Sequence, residues 1–131
     1  MINATEHFIK NYPLLFAQSE ENPLGIPYWG MECGRGWFRL LERLCRQAQS
    51  HIDNKKCAQV VFHQIKEKYG KLCIHYSDAD DFIDGLIKMA EEISAIICEN
   101  CSSSGELVRL KGGWLKTVCG KCQRQLESKN N

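Results

Sequence analysis

Cys98-Glu-Asn-Cys101 and Cys119-Gly-Lys-Cys122 form two C-x-x-C pairs with 17 residues between them. Two residues between cysteines let both thiolates of a knuckle turn toward one cation, and two knuckles supply the four-sulfur shell usual for structural zinc. The separation lies inside the window that reads as a zinc site. Between the pairs, Glu106-Leu-Val-Arg-Leu-Lys111 and Trp114-Leu-Lys-Thr-Val118 flank Gly112-Gly113, which predicts two short strands around a glycine turn. Knuckle, hairpin, knuckle is the layout of a zinc ribbon, with Cys98, Cys101, Cys119 and Cys122 as its ligands. A shell closed by sulfur has no position for water or substrate, so its expected role is to fold a module.

Other chemistry-bearing residues are sparser. Cys33-Gly-Arg-Gly-Trp-Phe-Arg39 fits the outline of a cysteine phosphatase phosphate loop, with Cys33 as nucleophile and Arg39 as anion clamp. That loop should follow a buried strand, and Gly25–Gly30 is a poor one. His63 and His75 fall in neighbouring predicted strands with Cys73 close by, a conceivable second metal set, and His51 could serve as a base. No Ser/His/Asp constellation, Walker loop, dinucleotide fingerprint or H-E-x-x-H occurs. The expectation is a protein that is not an enzyme.

Basic and aromatic residues crowd two predicted hairpin tips: Arg109, Lys111, Trp114 and Lys116 in the ribbon, and Lys66, Lys68, Tyr69 and Lys71 in the other hairpin. Such clusters suit phosphate contact and base stacking. The formal charge is +1, and four thiolates with one divalent ion bring it to −1, which argues against sequence-independent capture of nucleic acid. Charge is unevenly placed: residues 78–97 carry six carboxylates against Lys88 alone.

The elements that must hold these residues follow from periodicity. Residues 4–12 predict a short helix with Phe8 and Tyr12 one turn apart, limited by Pro13. Residues 18–36 hold six glycines and prolines plus Tyr28 and Trp29, an ordered loop whose aromatics seek burial. Apolar positions 37, 41, 44, 48 and 52 predict an amphipathic helix. Residues 58–67 and 72–76 predict a β-hairpin through Gly70, with Val61, His63 and Ile65 on one face. Ser77-Asp-Ala-Asp80 predicts a helix start, and Phe82, Leu86, Met89, Ala90, Ile93, Ile96 and Ile97 supply its core stripe. That helix runs directly into Cys98, so the ribbon is expected to dock on its end.

The expected fold is α+β: two amphipathic helices on a β-hairpin, with a C-terminal zinc ribbon. Residues 1–97 form the body, 98–126 the ribbon and 127–131 an unstructured tail. No apolar run is long enough to span a membrane, Met1–His7 lacks a signal-peptide pattern, and Cys33, Cys45, Cys57 and Cys73 are scattered. A reducing cytoplasm is expected.

Several segments together resemble a family of small bacterial and phage or prophage proteins of unassigned activity. They are Glu32-Cys-Gly-Arg-Gly-Trp37 with Leu40-Leu41 and Leu44-Cys45; Gln64–Leu72; Ala90–Ser94; Cys98–Cys101; Gly105; and Gly113–Cys119. The family often carries an acidic residue at Arg35 and a glycine at Ser102. The resemblance implies an α+β body ending in a zinc ribbon, a mobile-element context and a bacterial host cytoplasm. Combined with the absence of catalytic motifs, it leads to an accessory protein that binds a host or defence protein, with Tyr28, Trp29 and Arg35 as candidate contacts. Nucleic-acid binding through the hairpin tips is the alternative.

Overall fold

The computed structural model describes residues 4–16, 30–54 and 57–129. Helix α1 (Ala4–Asn11) is followed by the single-turn helix α2 (Pro13–Phe16), strand β1 (Met31–Glu32), a 3-10 turn (Arg35–Trp37) and helix α3 (Phe38–Asp53). Strands β2 (Val61–Lys68) and β3 (Lys71–Ser77), helix α4 (Asp81–Ser94), strands β4 (Glu106–Arg109) and β5 (Leu115–Val118) and helix α5 (Gly120–Lys129) complete the chain. The α+β expectation holds, with helices outnumbering two small sheets.

Pro13 does not end helical structure; it begins α2, since a proline at the first helical position forfeits only an amide that would be orphaned there. This N-terminal pair is core. Phe8, Leu15 and Phe16 are buried, and the Phe16 ring meets Phe62 edge-on at 5.5 Å. On α3 the buried residues are Leu41, Leu44, Cys45, Ala48 and Ile52, the face that the periodicity predicts.

The main sheet has the order β1-β2-β3, with β1 parallel to β2 and β2 antiparallel to β3. A bulge between Phe62 and Gln64 breaks simple alternation. Phe62 and Ile65 therefore both reach the core, and His63, expected on one face with Val61 and Ile65, instead meets Ser77 Oγ at 2.9 Å.

Helix α4 corrects two expectations. Its cap is Asp80, whose carboxylate accepts the Ile83 amide, while Ser77 closes β3. Its buried face is Ile83, Ile87, Ala90 and Ser94; Phe82, Met89 and Ile96 of the expected core stripe are 52, 60 and 65% exposed. The orientation is decided by the free edge of β3. Leu72 donates its amide to Ser94 Oγ at 2.9 Å, and Ile74 donates to Glu91 Oε2, also at 2.9 Å. Side chains of α4 thus satisfy an edge strand that would otherwise offer bare amides, and that turns Phe82 and Met89 outward while Leu86 and Ala90 stay against the core.

The two-stranded ribbon sheet pairs β4 with β5. Its seat is the Gly34–Trp37 turn more than the end of α4. Trp37 Nε1 donates to the Ile97 carbonyl at 2.9 Å, Gly36 donates to the Glu99 carbonyl at 2.7 Å, and Ser102 Oγ donates to the Gly36 carbonyl at 2.8 Å. A Cβ on Gly36 would stand 2.1 Å from the Cys98 carbonyl oxygen, so glycine is required for this approach. At the other end, Thr117 Oγ1 donates to the Gly70 carbonyl at 2.5 Å. Glu127–Lys129, expected in an unstructured tail, are the last turn of α5.

Candidate metal centre

The sulfurs of Cys98, Cys101, Cys119 and Cys122 all lie within 4.8 Å of one another, so the four residues could hold one metal ion. Cys101 and Cys119 sulfurs are 3.7 Å apart. A disulfide needs about 2.0 Å, whereas a tetrahedron with metal–sulfur bonds of about 2.3 Å has edges of about 3.8 Å. The spacing is that of co-ligands.

Local folding builds this set. After Cys98, the Ser102 amide bonds the Cys98 carbonyl at 3.0 Å and the Cys98 amide bonds the Ser103 carbonyl at 2.7 Å, closing the first knuckle. Ser102 sits at φ 75, the left-handed conformation that favours glycine. The second knuckle opens α5, where the Cys122 amide donates to Cys119 Sγ at 3.4 Å. Asn100 Nδ2 donates to Cys122 Sγ at 3.1 Å. Hydrogen bonds from the Ser103 side chain and backbone pull the Cys101 thiol down to about 6. Although the Asn100 bond lowers it, Cys122 is pushed up to about 12 by burial and the neighbouring Cys119, Cys101 and Cys98. Four sulfurs this close resist shedding all their protons, and a cation reverses that balance.

Glu99, inside the first knuckle, ties the centre to the body. Its buried carboxylate accepts the Gly34 amide at 2.8 Å through Oε2, and Lys116 Nζ stands 3.2 Å from Oε1. The turn amides that a phosphate loop would offer an anion are therefore occupied by Glu99. Cys33 is pushed up to about 12 by burial and then by the Glu99 charge, the opposite of nucleophile activation. Arg39 lines a separate groove of about 850 Å³ with Phe8, Arg43 and Arg46.

The other candidates are scattered or recombined. Among the described residues, His63 joins no metal set, and Cys73 Sγ lies 3.8 Å from His75 Nε2 without a third ligand. Sequence reasoning missed a different cluster, His51, Cys57 and Asp80. His51 and Cys57 are six residues apart and Asp80 lies a further 23 along the chain, a spacing that matches no regular ligand pattern.

The two hairpin tips do meet: Lys66, Lys68 and Tyr69 line one cleft with Trp114 and Leu115. Tyr69 and Trp114 are 74 and 61% exposed. Lys116, however, is drawn back to Glu99, and Arg109 donates to the Gly113 carbonyl at 2.9 Å. Lys111 and Arg35 are exposed, whereas Tyr28 and Trp29 lie outside the described residues. No described helix is long and apolar enough to cross a membrane. No family model matches the chain, and no curated protein or solved structure matches it significantly.

Proposed function

We propose that this is a non-enzymatic, zinc-binding accessory protein of phage or prophage type that acts by docking a host protein. Zinc is the ion of choice because four thiolates in a tetrahedral shell suit a soft-tolerant cation without geometric demands. Cys98, Cys101, Cys119 and Cys122 would hold it, and the bound ion supplies folding energy, not reactivity.

The observation that carries the docking reading is the outward face of α4. Phe82 and Met89 of α4 and Ile96 in the turn after it recur every seven residues and are exposed, the repeat of a helix seam, while Leu86 between them packs against the core. The helix is apolar on two sides, one packed on the core and one with Phe82 and Met89 open to solvent, continued by Ile96 just past its end. Exposed apolar rows of this kind mark interaction surfaces. The net charge of −5 over residues 78–97 favours a partner element with apolar knobs and basic flanks.

A nuclease-treated pull-down tests this. Wild-type protein should recover one stoichiometric protein, and Met89→Glu should lose it while keeping the same melting temperature. A partner equally retained by Met89→Glu and Ile96→Glu would refute the assignment to α4.

The joined hairpin tips favour a second reading, single-stranded nucleic acid stacked on Tyr69 and Trp114. It predicts salt-sensitive retention of an oligonucleotide that Tyr69→Ala and Trp114→Ala abolish. Unchanged retention in the double variant would end it.

A further inference from the structure

The C-terminal end of α3, the loop after it and the cap of α4 converge at a second group of donors. His51 Nε2, the Cys57 sulfur and an Asp80 carboxylate oxygen lie within 4.8 Å of one another. We propose that these three residues form a second divalent-metal site, of zinc type, with one coordination position left open.

Two of the donors are held in place, and the third, the Cys57 thiol, donates to the Ala58 carbonyl at 3.2 Å. Asp80 uses Oδ1 to accept the Ile83 amide at 2.9 Å, which fixes the carboxylate and directs Oδ2 at His51 Nε2, 2.7 Å away. The His51 ring is stacked on Phe82 at 4.2 Å between centroids and 16° between planes, which fixes its rotation. Its side chain is mostly buried, whereas Cys57 remains half-exposed. The donor set is chemically matched to zinc: one imidazole, one thiolate and one carboxylate. Thiolate and carboxylate charges together neutralise a divalent ion, so the occupied site carries no net charge. Placing an ion with bonds of about 2.0 Å between His51 and Asp80 widens their contact to about 3.3 Å, a small movement for a site open to solvent on one side.

Three protein ligands bind more weakly and exchange faster than four, and an open position accepts water or an incoming donor. The site also bridges α3 and α4, which pack against each other. Occupancy should therefore tie the outward seam of α4 to the core, although the inference does not rest on any partner for that seam.

Metal stoichiometry on the full chain, purified under reducing conditions and titrated with zinc, is the test. Wild-type protein should bind two equivalents, the second removed first by a chelator of moderate strength. Cys57→Ser and His51→Gln should each bind one equivalent while retaining the wild-type far-ultraviolet spectrum. With cobalt as probe, the second equivalent should add a weaker thiolate charge-transfer band than the first, reflecting one sulfur against four. Cys98→Ser should lose the tight equivalent and keep the weak one, which separates this site from the ribbon. A wild-type protein saturating at one equivalent retained by Cys57→Ser, or both variants still binding two, would overturn the proposal.

Discussion

Glu99 Oε2 accepts the amide of Gly34 at 2.8 Å, joining residues 65 positions apart and locking the first cysteine knuckle to the turn that starts α3. The same carboxylate faces Lys116, so one buried side chain holds ribbon to body and ribbon strand to knuckle. Truncation by Glu99→Ala strands a part-buried amide and a part-buried ammonium. A loss of about 3 kcal/mol is expected, in line with breaking one partner of a buried pair. Glu99→Gln, which keeps an acceptor for Gly34, should lose less; urea denaturation of both variants checks the ranking.

Gly36 lies backbone to backbone against the first knuckle, its amide donating to the Glu99 carbonyl at 2.7 Å. In Gly36→Ala the new methyl meets the Cys98 carbonyl oxygen at 2.1 Å, and neither backbone can give way freely. The expected cost is about 3 kcal/mol, the upper range for overpacking, read as a lowered melting temperature. Stoichiometric zinc should persist, because the knuckles close through their own hydrogen bonds.

The two faces of α4 should respond differently to truncation. Ser94 is fully buried and accepts the Leu72 amide, so Ser94→Ala leaves that amide unpaired at a cost of about 1–3 kcal/mol. Met89→Ala, on the exposed seam, should change stability by less than about 0.5 kcal/mol. Equal effects in thermal unfolding would contradict the orientation of the helix.

Metal-free protein should show ordered cysteine reactivity. Cys101 is exposed and its thiol is drawn from the ordinary 9.0 down to about 6, so it is a thiolate at neutral pH. Alkylation followed by mass mapping should label Cys101 early and the buried, upward-shifted Cys45 last, and zinc should protect Cys101. The linked stability has a definite sign. A depressed folded value gives stabilisation that is complete above about pH 9 and lost as pH falls through about 6. Cys122, raised to about 12, contributes below pH 9 and loses that contribution as pH rises through 12. The metal-free fold should therefore gain stability through Cys101 from pH 6 to 9, then lose it through Cys122. Zinc retention should fail on acidification as protons compete for the four sulfurs.

Local spacing determined a good deal by itself. The two C-x-x-C knuckles, the glycine hairpin between them and the α3 face through Leu41, Leu44, Ala48 and Ile52 are short-range patterns, and backbone geometry converts them directly into structure. The apolar stripe on α4 was equally legible, but periodicity states only that a stripe exists, not which of its residues face the core. The unpaired edge of β3 decided that, by requiring Ser94 and Glu91 as acceptors. The bulge at His63, the seat of Glu99 on Gly34 and Gly36, and the meeting of His51, Cys57 and Asp80 likewise belong to tertiary structure. Each depends on contacts between segments whose separation in the chain carries no periodic signal, and only packing brings them within reach.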